Sequence, residues 1–219
     1  MARRPIYAAG KRMLDLVVGV LALAVAGPVM AVVAMIVKRD GGPALYRGRR
    51  VGRDGAVFRM LKFRTMVVDA EKAGPSSTAD DDPRITRIGK RLRAHKLDEL
   101  PQLLNVIGGS MSLVGPRPQV EHDVAMYTAE ERALLSVRPG ITDYASIRYR
   151  NEGEILKGSA DPAEAYNRLI RPGKIALGLE YVRSCSFGTD LKILWLTMLA
   201  MVDHDAAIRR LPKVETSDT

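Results

Sequence analysis

Residues 16–37 read LVVGVLALAVAGPVMAVVAMIV, and this stretch decides the architecture of the chain. It carries no charge over about 22 residues, long enough to cross the roughly 30 Å hydrocarbon layer as a helix. Arg3, Arg4, Lys11 and Arg12 precede it, and Lys38, Arg39, Arg47, Arg49 and Arg50 follow it. The positive-inside rule places both flanks in the cytoplasm. Gly27-Pro28 lies near the middle, where proline removes a backbone donor and clashes with the preceding turn. Matching flanks and a central break predict a re-entrant helix-turn-helix that enters and leaves by the same face. Two other readings compete with it. A secretory signal would use the same leading cations and Ala24-Val25-Ala26 as its cleavage site, but the apolar run continues past that site to Val37. A kinked spanning helix would keep Pro28 without reversing. Asp15, beside the start of the run, reads as a structural residue that caps the helix or pairs with Arg12.

The chain of 219 residues suits one domain with its own core plus a membrane element. Lys and Arg number 34 against 25 Asp and Glu, for a net charge of +9, so the partner is anionic: phospholipid headgroups or a phosphorylated substrate. Aromatic residues make up only 5%, too few for the stacking platforms of a single-strand nucleic-acid binder, and no nucleic-acid partner is expected. A lone Cys185 excludes an intrachain disulfide and fits a reducing compartment. His95, His122 and His204 are scattered without ligand or triad spacing and read as structural or surface residues.

Beyond the apolar run, Leu45 to Val51 and Ala56 to Thr65 flank Gly52-Arg53-Asp54-Gly55, which predicts a strongly basic β-hairpin. Ala73 to Asp82 reads as an exposed loop. Pro83 then opens a predicted helix with Ile85, Ile88 and Leu92 at helical spacing. Arg84, Arg87, Lys90, Arg91 and Arg93 surround it, a basic amphipathic surface for anionic headgroups or a phosphorylated ligand. A second helix is predicted from Leu97 or Asp98 to Ile107, stopped by Gly108-Gly109. A third starts at Thr128 with Glu131 as its capping-box partner. A further helix follows Asp161-Pro162, interrupted by Pro172-Gly173. The apolar run Ile193 to Val202 is too short to span a bilayer and reads as a core or interfacial helix.

Asp98 and Glu99 carry the chemical interest. Adjacent carboxylates on a helix point about 100° apart, so they must do different jobs. One reading makes Asp98 a helix N-cap and Glu99 a favourable first-turn charge. The other places a carboxylate at a helix N-terminus, with Arg93 and Lys96 nearby and a basic hairpin upstream, where a phosphate also binds. Pro116-Arg117-Pro118 reads as a rigid turn presenting one guanidinium fork.

The stretch from Lys96-Leu97-Asp98-Glu99-Leu100-Pro101-Gln102 to Val114-Gly115-Pro116-Arg117-Pro118 resembles the signature of the bacterial sugar transferases. These are monotopic phosphoglycosyl transferases, which load a sugar phosphate onto a polyprenol phosphate. Lys62-Phe63-Arg64-Thr65-Met66, Asp82-Pro83-Arg84-Ile85-Thr86 and Arg138-Pro139-Gly140-Ile141-Thr142 extend the resemblance in the family's order. It implies that Asp98 is a nucleophile taking the sugar phosphate from a nucleotide diphosphate sugar, with a UDP-sugar as the expected donor. Glu99 matches the family's magnesium ligand, Lys62 and Arg93 fall at its active-site positions, and Pro116, Arg117 and Pro118 help hold the nucleotide.

The implied fold class is α+β and mainly helical. An N-terminal re-entrant membrane helix over 1–40 joins a small cytoplasmic catalytic domain over 41–211, with the basic hairpin and interfacial amphipathic helices on it and a tail over 212–219. The implied partners are a nucleotide sugar, polyprenol phosphate and anionic membrane lipid, with a homodimer also allowed. The implied location is the cytoplasmic face of the bacterial inner membrane. The chain departs from the family pattern at Lys96, Ser110 and Asp143, and at Gly178, where an acid is usual; Glu154 or Glu180 is the expected substitute. Tyr144 to Glu154 departs most, so the donor sugar is not inherited. The rival function is a non-catalytic basic adaptor on the membrane surface, with the Asp-Glu pair as a cap.

Overall fold

The structure, a computed structural model, describes residues 5–70 and 78–214. Residues 73–77 of the expected loop lie outside the described residues, as does the tail beyond Val214. Helix α1 (Pro5–Val37) runs for 33 residues with Pro28 inside it. The helix is continuous through Gly27-Pro28, which corrects the expected turn. Pro28 can offer no hydrogen bond to the carbonyl of Ala24, one turn back, but side-chain packing carries the helix past that gap. Val18, Ala22, Leu23 and Ala26 pack on the main core, and Met30, Val33, Ala34 and Val37 continue the same three-to-four spacing into a second cluster with Phe63 and Leu92. The opposite face, with Met13, Val17, Leu21, Val25, Val32 and Met35, is exposed and apolar.

Polar contacts fix α1 at both ends. Arg12 donates to the carbonyls of Val106 and Ile107, closing the C-terminus of α3 (Gln102–Ile107). Asp15 is buried and accepts from Ser112 Oγ and Leu113 N, both at 3.0 Å, so its partner is strand β3 (Ser112–Val114) and not Arg12. Asp190, fully buried on α9 (Phe187–Val202), accepts from Tyr7, Lys11 and Tyr181, each at 2.8 Å. At the far end Arg64 donates to the carbonyls of Val37 and Pro43 and pairs with Asp40.

Strands β1 (Leu45–Val51) and β2 (Val57–Phe63) form the expected antiparallel hairpin, in register from Leu45 opposite Phe63 to Val51 opposite Val57. Met60 and Phe63 turn inward, while Arg47, Arg49 and Arg59 are exposed. Asn105 of α3 docks on β2, accepting from Leu61 N and donating to the carbonyl of Arg59. Helix α2 (Arg87–Ala94) starts four residues later than Pro83 predicts. Thr86 is its cap, accepting from Gly89 N at 3.0 Å, because Asp82 holds Arg84 in a tight turn before it and Ile85 bridges to Met66. Ile85 and Arg84 therefore lie outside the amphipathic helix.

Strand β3 pairs in parallel with β4 (Gly140–Thr142). The strands approach so closely at their ends that a Cβ on Gly115 would sit 2.3 Å from the Arg138 carbonyl, and one on Gly140 would sit 2.1 Å from Gly115 N. Glycine at both places lets Pro116-Arg117-Pro118 leave the sheet at a fixed angle. The short helices α4 (Glu121–Ala125), α5 (Tyr144–Arg148) and α6 (Glu152–Ile155) follow the loop and β4. The expected Thr128–Glu131 capping box forms in both directions, but on a 3₁₀ turn over Glu131–Ser136. Asp161 caps α7 (Pro162–Leu169), and Pro172 sits in the first turn of α8 (Arg171–Ser184), where it needs no donor. Helix α10 (His204–Ile208) closes the core around Tyr181, Ile193 and Leu196.

Candidate active site

Lys96 adopts a left-handed conformation, φ 56°, and turns the chain into a 3₁₀ turn over Leu97–Glu99 before Pro101 and α3. A non-glycine residue costs about 1 kcal/mol there, and the return is the placement of the two acids. Asp98 is buried and caps neither this turn nor α3; its Oδ1 has no hydrogen-bond partner among the described residues. The cap reading of Asp98 is thereby overturned. Burial raises the Asp98 carboxyl above its ordinary range, against the pull of Lys62, Lys96 and Arg93.

Glu99 has the opposite environment. Its Oε1 accepts from Lys62 Nζ at 2.9 Å and from Arg117 Nη2, and its Oε2 accepts from Arg117 Nη1 at 3.2 Å. Burial alone would raise this carboxyl, but Arg117 and then Lys62 outweigh it and hold Glu99 well below the usual carboxylate range. Burial lowers Lys62 despite that partner, while Glu99 raises Arg117. Two adjacent acids are thus driven apart in acidity, which divides their chemical roles.

The structure gathers the residues singled out in the sequence. Lys62 comes from β2, Arg93 from α2, the acids from the 3₁₀ turn and Arg117 from the loop after β3. Arg93 is positioned by Thr65, whose Oγ1 accepts from Arg93 Nε at 3.0 Å. Gly89 makes that contact geometrically available: a Cβ there would lie 2.0 Å from the Thr65 carbonyl, so α2 packs directly on the backbone. Pro116 and Pro118 are buried, and only Arg117 reaches the site. The hairpin holds the same loop, with Val51 N donating to the Gln119 carbonyl and Arg49 to Glu121. Gly27 and Pro28 take no part in the centre; a Cβ on Gly27 would touch nothing within 4 Å.

Sequence reasoning passed over Thr65, Asn105 and Gln102. Asn105 interrupts the apolar run of α3, a signal that it had a partner to find. Gln102 is fully buried with both amide atoms unpartnered among the described residues, four residues after Asp98. Gly178 is also explained: a Cβ there would lie 2.7 Å from Leu134 Cδ2, so no acid fits without repacking. The carboxylates that act on Arg117 after Glu99 are Glu152 and Asp143. Among the described residues no group of three or more His, Cys, Asp or Glu is placed to hold a metal ion.

Two carboxylates of divided acidity among Lys62, Arg93 and Arg117 are chemically matched to phosphate groups. This centre sits beside a helix long and apolar enough to cross a membrane. The chain belongs to the bacterial sugar transferase family, whose model matches residues 6–204. It is 38% identical over 201 residues to the UDP-glucose:undecaprenyl-phosphate glucose-1-phosphate transferase of Caulobacter vibrioides, covering 90% of this chain and 71% of that protein. It is 36% identical over 216 residues to the exopolysaccharide production protein ExoY of Sinorhizobium fredii, covering 91% and 88%. Against the galactosyl transferase CpsE of Streptococcus agalactiae it is 36% identical over 199 residues, and the match spans 86% of this chain but 41% of that protein.

Proposed function

We propose that the chain transfers a sugar 1-phosphate from a UDP-sugar to a polyprenol phosphate, with Asp98 as covalent nucleophile. The observation that carries this reading is the buried Asp98 carboxyl, free of any capping duty and faced by Lys62, Lys96 and Arg93. A carboxylate buried in this way is activated by desolvation once ionised, and the cations supply charge for phosphate oxygens. The names of the relatives, among them a UDP-glucose:undecaprenyl-phosphate transferase, support the donor and acceptor classes.

An Asp98 oxygen attacks the phosphorus that bears the sugar. The bond from that phosphorus to the bridging oxygen breaks, and the nucleoside monophosphate leaves with the electron pair. A phosphate oxygen of the polyprenol phosphate then attacks the same phosphorus. The bond to Asp98 breaks, which restores the carboxylate and gives polyprenyl diphosphate sugar. Arg93 and Lys62 balance charge on the non-bridging oxygens, and Arg117 orients Glu99 and the nucleotide phosphate.

Magnesium fits this donor set: Glu99 Oε2 accepts one hydrogen bond and keeps a second lone pair, and substrate phosphates would complete the shell. Glu99 would hold the ion, which supplies neutralisation of the pyrophosphate charge. The location we infer is the cytoplasmic face of the membrane. Both ends of α1 are held by one globular body, through Asp190 near its start and Arg64 at its end, which favours same-side flanks over a single crossing.

The test is nucleoside monophosphate release by purified protein given undecaprenyl phosphate, magnesium and a panel of UDP-sugars. Release with one donor, abolished by Asp98→Asn, supports the reading. Anionic liposome binding without any release would favour the adaptor.

A further inference from the structure

Beyond Arg117 lies a narrow cleft, partly open to solvent, whose lining does not include Asp98. Its polar lining is Arg117, Gln119, Tyr127, Asp143, Ser146 and Lys174, and its apolar wall is Pro116, Leu134 and Ile175. Asp143 is 1% exposed, and its Oδ1 accepts from Ser146 N at 2.6 Å, which fixes the carboxyl against the start of α5. The Ser146 Oγ is buried and has no hydrogen-bond partner of good geometry among the described residues. Lys174 pairs with Glu152 and lies over the Tyr166 ring, 4.9 Å from its centroid. Glu99 joins Lys62 to Arg117 and Glu152 pairs with Lys174, while Asp143 shares the cleft lining with Arg117 and Lys174, so groups of both signs run from the centre to this cleft.

The mixture selects the ligand. A free phosphate is disfavoured, because Asp143 and Glu152 would face its oxygens. An acyl chain is disfavoured by the buried charges. Ring hydroxyls both donate and accept, so neighbouring hydroxyls match a carboxylate next to an ammonium and a serine hydroxyl. One apolar wall suits the carbon face of such a ring. We propose that this cleft is the subsite for a polyhydroxylated ring of the donor, with Asp143 accepting from adjacent hydroxyls and Lys174 and Ser146 completing the contacts. The inference rests on the transferase reading and deepens it. Both the transferred hexose and the nucleotide ribose carry this chemistry.

The experiment measures calorimetric binding of UDP-glucose, UDP-galactose and UDP to the full chain in detergent micelles. Asp98→Asn provides the background, so that donor is not consumed. Asp143→Asn keeps an oxygen for the Ser146 backbone while removing the charge, and Lys174→Gln keeps a donor for Glu152. If neither sugar nucleotide nor UDP binds in the Asp98→Asn background, the transferase reading and the subsite fall together. If they bind, each of the two substitutions is expected to weaken the better UDP-sugar at least tenfold, the scale of a hydrogen bond to a charged group. UDP binding left intact identifies the hexose as occupant; UDP weakened in parallel identifies the ribose. Sugar-nucleotide and UDP affinities unchanged in both variants overturn the subsite alone. Ser146→Ala, which leaves the α5 backbone contact in place, guards against misfolding and is expected to weaken the same ligand.

Discussion

Asp98 and Glu99 are neighbours in sequence and opposites in environment, and the difference makes predictions about stability as well as activity. The Asp98 carboxyl is raised by burial, so its native form holds a proton more tightly than the unfolded chain does. The stability it contributes is present at low pH and is lost as pH rises through the raised value. Asp98→Asn removes that buried charge, so at pH 7.5 its melting temperature should equal or exceed that of wild type while turnover vanishes. A lower melting temperature would contradict the account of Asp98. Glu99 is depressed, so its contribution is present above the ordinary carboxylate range and is lost as pH falls through the depressed value. Glu99→Gln leaves Lys62 and Arg117 facing each other. With these side chains 16–25% exposed, a loss of about 2 kcal/mol is expected, or about 4–8 °C by thermal denaturation. At this scale the sequence named residues that the fold brings together, because charged groups in fixed motifs are visible. It did not reveal which acid is satisfied, since that depends on Arg117, eighteen residues away and brought back by a parallel strand pair.

Among the elements, α1 and α2 carry separate predictions. Asp15→Ala would leave Ser112 Oγ and Leu113 N without their acceptor in a buried place, at a cost of about 1–3 kcal/mol. It should loosen α1 from β3, read as faster amide exchange in both and a fall in turnover; unchanged exchange would reduce Asp15 to a bystander. The exposed cations of α2 are Arg87, Lys90 and Arg91, since Arg84 is engaged by Asp82. Replacing the three with Gln should weaken binding to anionic vesicles, by about 1 kcal/mol per charge at low salt, and the deficit should shrink as salt rises. Equal binding by both proteins would return these residues to an ordinary solvated face. The hairpin was legible because its turn chemistry and alternation are local. The starts of α2 and α3 and the continuity of α1 were not, because Asp82, Lys96 and the packed stripe beneath Pro28 each override a local rule through a contact made elsewhere.

For the whole molecule, one long apolar helix lies along a small core, and four separate segments deliver one site. The long apolar helix could be read from run length, and the mainly helical class from the periodic stretches together with the family resemblance. The parallel pairing of β3 with β4, which aims Arg117 at Glu99, joins segments 28 residues apart between Ser112 and Gly140 and leaves no periodic signature. The central claim is that Asp98 becomes covalently bonded to the sugar phosphate. Intact-protein mass spectrometry after incubation with a UDP-sugar donor and magnesium, without polyprenol phosphate, tests it directly. Wild type should gain the mass of one sugar phosphate, the adduct should be cleaved by hydroxylamine as an acyl phosphate, and addition of polyprenol phosphate should discharge it. The same adduct on Asp98→Asn, or turnover of donor and acceptor with no adduct at any time, would contradict the account.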